Sequence, residues 1–73
     1  MPRRMSAREI VEDLKDRIES GEYPPGAEMP SYKALASMYD VSYATAHRVY
    51  MVLGAQGLVR GEPGRGTFVE GDV

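Results

Sequence analysis

The 73-residue chain contains no cysteine and no tryptophan, and its single histidine is His47. Without cysteine there is neither a disulfide framework nor a thiolate metal site. A zinc ion would have to take carboxylates for its remaining protein ligands, an uncommon set, so no metal is expected. No apolar run approaches the roughly 20 residues needed to span a bilayer, and no signal-peptide core is present. No membrane contact is expected, and the location expected is the cytoplasm. A chain this short buries about 60% of the surface its unfolded form exposes. Its expected stability is about 4–11 kcal/mol. One domain over residues 1–73 is expected, with little room for an enclosed small-molecule pocket. No nucleophile–base arrangement and no cofactor loop can be traced. Gly64-Arg65-Gly66-Thr67 lacks the Gly-Lys-Ser/Thr ending of a phosphate-binding loop, and a strand follows it instead of a helix. An enzyme is therefore not expected, and no cofactor is implied.

Excess positive charge is also missing. Nine Lys and Arg face eleven Asp and Glu, a net charge of −2. A basic domain is the usual footprint of nucleic-acid binding, so the total argues mildly against it. The distribution says more. The first thirty residues are acid-rich, with Glu9, Glu12, Asp13, Asp16, Glu19, Glu22 and Glu28 against five cations. Residues 31–69 hold Lys33, Arg48, Arg60 and Arg65 against Asp40 and Glu62 alone. Such an asymmetry can orient a protein on a polyanion.

Apolar residues make up 42% and charged residues 27% of the chain, which fits a globular domain. Residues 1–5 read as a loose arm, with Arg3, Arg4 and Arg8 available to phosphate. Ser6 and Glu9 form a capping-box pattern. Ile10, Val11, Leu14 and Ile18 follow at helical spacing, and Gly21 is a natural stop. The first helix is expected over Ala7 to Ser20, with Glu9, Glu12, Asp13 and Asp16 on a solvated face. The prolines and glycine of Tyr23-Pro24-Pro25-Gly26 exclude helix. Ser31 is an N-cap for a short helix, Tyr32 to Tyr39, with Leu35, Ala36 and Met38 as core candidates. Asp40-Val41 connects to a third N-cap, Ser42. The helix it opens runs from about Tyr43 to Gln56, with Ala46, Val49, Tyr50 and Leu53 at core spacing. Tyr39 and Tyr50 read as core or rim aromatics, and the methionines as gap-fillers or exposed positions. Leu58-Val59-Arg60 and Thr67-Phe68-Val69 read as strands around the turn Gly61 to Gly66. Residues 70–73 form a tail.

The expected architecture is mainly α with a small β-hairpin, a winged helix-turn-helix. A short helix, a tight turn and a longer capped helix form the helix-turn-helix pattern. In such units the second helix enters the DNA major groove N-terminus first. Small residues at its start allow close approach, and hydroxyls there reach phosphates with the help of the helix dipole. Ser42, Ala44 and Thr45 supply these residue types. In the wing, Gly64 and Gly66 allow the backbone near a phosphate, and Arg65 adds a charge between them. Tyr43 and His47 lie one turn apart on one outward face. Ser31, Lys33, Arg48 and Thr67 complete the candidate set. Arg48 and Lys33 could instead pair with carboxylates, and Arg65 could be a solvated charge.

The chain resembles the N-terminal domain of GntR-family bacterial repressors. The residues that carry the likeness are Ile18 to Gly26, Met29-Pro30-Ser31, Leu35-Ala36, Val41-Ser42, Gly57-Leu58-Val59 and Gly64 to Val69. They span nearly the whole of residues 8–69. The resemblance implies a winged helix-turn-helix that binds a double-stranded DNA operator as a sequence-specific regulator, a repressor in the usual case. The recognition helix would be residues 43–56 and the wing residues 61–67. Lys33, Tyr43 and His47 stand where the family usually has arginines, Ala44 replaces a usual threonine, and Thr45 keeps one. Losing arginine loses bidentate guanine recognition, which implies weaker binding or a different, A·T-richer operator. The family also carries a C-terminal effector-binding and dimerisation domain. A chain ending four residues after Val69 is expected to be either the DNA-binding part of a longer regulator or a one-domain protein. It is expected to be monomeric when free and to pair on adjacent half-sites. The alternative function is a winged-helix protein-interaction module, with Met51, Val52 and the acidic first helix as its surface.

Overall fold

The computed structural model describes residues 5–71. The arm residues Arg3 and Arg4, and Asp72 and Val73 of the tail, lie outside the described residues. Three helices precede a hairpin: α1 (Ala7–Ser20), α2 (Tyr32–Tyr39), α3 (Tyr43–Ala55), β1 (Val59–Glu62) and β2 (Gly66–Val69).

Serine side chains start all three helices. Ser6 accepts from the Glu9 amide and Glu9 returns the bond to the Ser6 amide at 2.8 Å, closing the capping box. Ser31 accepts from the Ala34 amide at 3.0 Å and Ser42 from the Thr45 amide at 3.1 Å. Each cap satisfies an amide that the helix itself leaves unpaired. Between α2 and α3 the chain turns at Asp40, the single non-glycine residue with positive φ (54°) among the described residues. Aspartate tolerates this left-handed conformation better than a branched residue would. The Val41 amide then closes on the Ala36 carbonyl at 3.0 Å, and the Val41 side chain packs against the core. That local closure sets the angle between the two helices.

Helix α3 ends at Ala55, with Gln56 as its cap, one residue earlier than the sequence suggests. The hairpin is longer than expected. β1 starts at Val59, leaving Leu58 outside, and runs to Glu62; β2 starts at Gly66, so the turn is Pro63 to Arg65. Val59 faces Val69 and Glu62 faces Gly66 in antiparallel register. The linker after α1 pairs with the other edge of β2, which the sequence did not reveal. Met29 donates to Thr67 at 2.7 Å and Val69 donates to Ala27 at 2.8 Å. The wing is thereby fastened on both sides, and one edge of β2 is covered.

The core joins Ile10, Val11 and Leu14 of α1, Leu35 of α2, Ala46, Val49, Tyr50 and Leu53 of α3, and Val59 and Val69 of the hairpin, with Met29 filling the space beside them. Met38 is a correction: it is 50% exposed and not a core residue. Ala46 lets α3 pass close to its neighbours, since it is fully buried and adds little volume. Among the described residues no buried side-chain polar atom lacks a partner. None of their helices is long and apolar enough to cross a membrane.

Candidate nucleic-acid interface

The start of α3 is held outward by its own cap. Ser42 Oγ accepts the Thr45 amide and donates to Thr45 Oγ1 at 3.0 Å. Thr45 uses an acceptor lone pair in that bond, so its hydroxyl proton remains available to an outside acceptor. Ala44 is exposed beside it and presents only a methyl group. Tyr43 is 60% exposed at the first turn.

Tyr32, at the start of α2, organises this surface, and the sequence reading passed over it. Its ring centroid lies 5.7 Å from Tyr43, 5.2 Å from His47 and 5.6 Å from Tyr50. The tilted packing of the tyrosine rings is the arrangement aromatic quadrupoles favour. Tyr50 is buried and donates from its hydroxyl to the Pro30 carbonyl at 2.6 Å. It anchors Tyr32 from below, and Tyr32 in turn steadies the two exposed rings, Tyr43 and His47. The signal in the sequence was an aromatic directly after the Ser31 cap, but pairing across two helices cannot be read from spacing.

Tyr32 also borders an open groove whose other wall is the wing, Gly61 to Thr67. The structure therefore brings most candidates onto one face. Tyr43 and His47 of α3 meet Tyr32, Gly64, Arg65, Gly66 and Thr67 of the wing line the groove beside it, and Ser31 and Lys33 flank Tyr32 in the chain. Thr67 is half-buried and its carbonyl is taken by Met29, so only part of it is presented. Arg48 sits apart from the groove. It lines a second depression with Ala44, His47, Met51 and Val52, and a third with Ala7, Arg8 and Val11 of α1. Among the described residues Lys33, His47 and Arg48 make no ion pair, which leaves these side chains free for an outside partner.

The wing is different. Arg65, read as a DNA contact or else a solvated charge, is exposed but already paired within the wing. Its Nη1 lies 3.0 Å from Glu62 Oε1, and its guanidinium lies 5.4 Å from the Phe68 ring centroid. Arg60 approaches the same ring at 5.9 Å and reaches Glu62 Oε2 at 3.0 Å. Gly64 and Gly66 have φ of 76° and 131°, values that a side chain resists. A Cβ at Gly66 would stand 3.2 Å from a Glu28 carboxylate oxygen. Glycine there serves the hairpin itself, as well as leaving its backbone open.

On the far side of the molecule, Asp13 departs from its reading as part of a solvated acidic face. It accepts from the Tyr39 hydroxyl at 2.5 Å and from Arg17 Nε at 3.1 Å. These bonds hold its carboxyl below the usual range, the Tyr39 bond most of all. It joins α1 to α2 and takes no part in the exposed face.

The sequence matches the family described as "Bacterial regulatory proteins, gntR family" over residues 6–69. It is 39% identical over 62 residues to the HTH-type transcriptional regulator YdfD of Bacillus subtilis, covering 85% of this chain and 13% of YdfD. It is 36% identical over 61 residues to the HTH-type transcriptional repressor NagR of the same organism, covering 84% of this chain and 25% of NagR. The chain thus spans a quarter or less of the length of these relatives. Among solved structures, the DNA-binding domain of AraR in complex with operator ORR3 superimposes with a TM-score of 0.82 at 28% identity, covering 86% of this chain and 76% of that one.

Proposed function

Because the chain belongs to the GntR family of bacterial regulatory proteins, we propose that it acts as the sequence-specific DNA-binding module of a transcriptional regulator. The observation that carries this reading is the grouping of Tyr43 and His47 of α3 and the wing residues Gly61 to Thr67 around Tyr32. Residues 42–48 enter the major groove. Tyr43 and His47 meet base edges, while Ser31 and Thr45 donate hydroxyl protons to phosphates and Ser42 holds the Thr45 hydroxyl in place. Lys33 and Arg48 supply charge on either side. The wing, residues 61–67, lies on the backbone or in the minor groove. The likeness to an operator-bound domain supports this geometry, and the likeness to NagR supports repression by occupying an operator. The module is monomeric when free and pairs on adjacent half-sites, and its action calls for no metal, cofactor or small-molecule ligand. Cytoplasmic location follows from the same reading. The relatives are regulators, and the module performs no catalysis.

The test is an NMR titration of the isotope-labelled protein with a mixed-sequence duplex at low and moderate salt. Shifts concentrated at Ser31, Lys33, residues 42–48 and 64–67, weakening with salt, are expected. An absence of shifts at low salt would sink the proposal. It would direct attention to the second reading, a protein-docking winged helix using the exposed Met51 and Val52, which are 63% and 37% accessible.

A further inference from the structure

From the wing geometry we infer that Glu62 is a built-in brake on DNA binding: it holds Arg65 against the hairpin, so the wing engages phosphate only when phosphate displaces this carboxylate. The inference rests on the proposed function above and names a residue that limits its affinity.

Both carboxylate oxygens of Glu62 are engaged, each by a different arginine. Oε1 receives Arg65 Nη1 at 3.0 Å and Oε2 receives Arg60 Nε at 3.0 Å. Arg60 is held further by Glu70 at 3.5 Å and by the Val69 carbonyl at 3.3 Å. Both guanidiniums pack on the Phe68 ring. Arg60 is thus fixed by four contacts along the strands, whereas Arg65, at the turn, is 71% exposed and tethered by Glu62 and the ring alone. Glu62 itself is 26% exposed and sits at the hairpin position facing Gly66.

With Glu70, the residue directly after β2, the charges around the hairpin cancel, since Arg60 and Arg65 are matched by Glu62 and Glu70. A polyanion approaching this element meets no net attraction, unlike the unpaired Lys33 and Arg48 elsewhere on the protein. A phosphate that recruits Arg65 has to exchange with a carboxylate already bound to it, and it then lies close to Glu62, whose charge is offset by Arg60 alone, an arginine shared with Glu70. Removing that charge gains twice. Arg65 is released, and the repulsion between Glu62 and the DNA backbone disappears.

The experiment compares wild type, Glu62→Gln, Arg65→Gln and the double variant for binding to one duplex across a salt series. Glutamine keeps an acceptor for Arg60, and a thermal melt of each variant establishes folding. Glu62→Gln is expected to bind about three- to tenfold more tightly at low salt. Its log–log salt slope should steepen by about one, the signature of one more neutralised phosphate. Arg65→Gln should weaken wild-type binding about two- to threefold and remove the whole gain in the Glu62→Gln background, a non-additive cycle. Arg65→Gln alone carries the test if Glu62→Gln fails to fold, because a large loss there means Arg65 already grips DNA. Wild-type binding that is salt-dependent but unaltered or weakened by Glu62→Gln would overturn the brake and leave the proposed function standing. No salt-dependent binding by either protein would overturn both.

Discussion

Tyr39 and Asp13, 26 residues apart in sequence, are joined by a 2.5 Å hydrogen bond that ties α2 to α1. The tie is energetically useful because Asp13 is also the (i, i+4) partner of Arg17, which in turn reaches Glu22 at 2.7 Å beyond the end of the helix. One carboxylate therefore serves the helix, its C-terminal exit and the neighbouring helix together. Leu35, the Tyr32 ring contacts and the Val41 closure hold α2 to the core and to α3, and the Tyr39 bond holds it to α1. Its end sets the turn into α3, so this bond bears on the candidate face from the opposite side of the molecule.

Acid should weaken this tie. The folded state favours the Asp13 carboxylate, chiefly through the Tyr39 bond. Its contribution is complete above the ordinary aspartate pKa of about 3.9 and is lost as pH falls through the lower folded value. Tyr39→Phe should cost about 1 kcal/mol at neutral pH, the figure for a partly exposed hydrogen bond. Melting curves of wild type and variant should converge at the acid end; a gap that stays constant down to about pH 2 would contradict the assignment.

Alkali should act through the other end of the range. Burial raises the Tyr50 hydroxyl above its usual pKa, and burial with the Asp13 bond does the same for Tyr39. The neutral forms stabilise the fold fully below the unfolded value of about 10, and that stability is lost as pH rises above it. Tyr50→Phe should cost about 1 kcal/mol near neutrality by leaving the Pro30 carbonyl without its partner. It should also flatten the alkaline fall in stability, which denaturant titrations between about pH 8 and 11 would reveal.

Tyr32 is expected to matter for DNA binding as a support. Tyr32→Phe keeps the ring that steadies Tyr43 and His47, so affinity should change less than twofold. Tyr32→Leu keeps apolar volume but loses the tilted aromatic contacts, and affinity should fall about three- to tenfold, or about 1 kcal/mol by the usual worth of such pairs. Fluorescence anisotropy on the same duplex separates the two outcomes. Equal affinities for the two variants would remove the aromatic support from the account.

Salt should report how little of the protein's charge is committed to phosphate. With the wing neutralised internally, about three to five phosphates are expected to be neutralised, a log–log slope of about −3 to −4. Tyr43→Ala should cost about 1–3 kcal/mol and relax base preference without altering that slope. Substituting Lys33 should instead weaken binding to all sequences and reduce the slope by about one.

Helix positions, the turn between α2 and α3, and the stripe from Ala46 to Leu53 were readable in the sequence because each depends on contacts within one or two helical turns. A serine three residues before the amide it caps is a local device, and Ser6, Ser31 and Ser42 all act as their positions suggest. Met38 misled because a short helix has two flanks at similar spacing, and only the placement of α1 and α3 decides which is covered. The pairing of Ala27 and Met29 with β2 was hidden because two prolines precede it and the segment is too short to show alternation.

The candidate face divides in the same way. The exposure of Ser42, Tyr43 and Ala44 could be read from sequence, since a capped helix after a tight turn already aims its first turn outward. The sequence by itself thus determined the elements, their order and the residue types offered to a polyanion, all through short-range capping and hydrophobic period. Tertiary structure alone decided that Tyr32 supports Tyr43 and His47, that Asp13 faces Tyr39, and that Glu62 occupies Arg65. Those pairings depend on where separate elements cross or how a hairpin registers, and that is set by the packing of the shared core, which no local spacing contains.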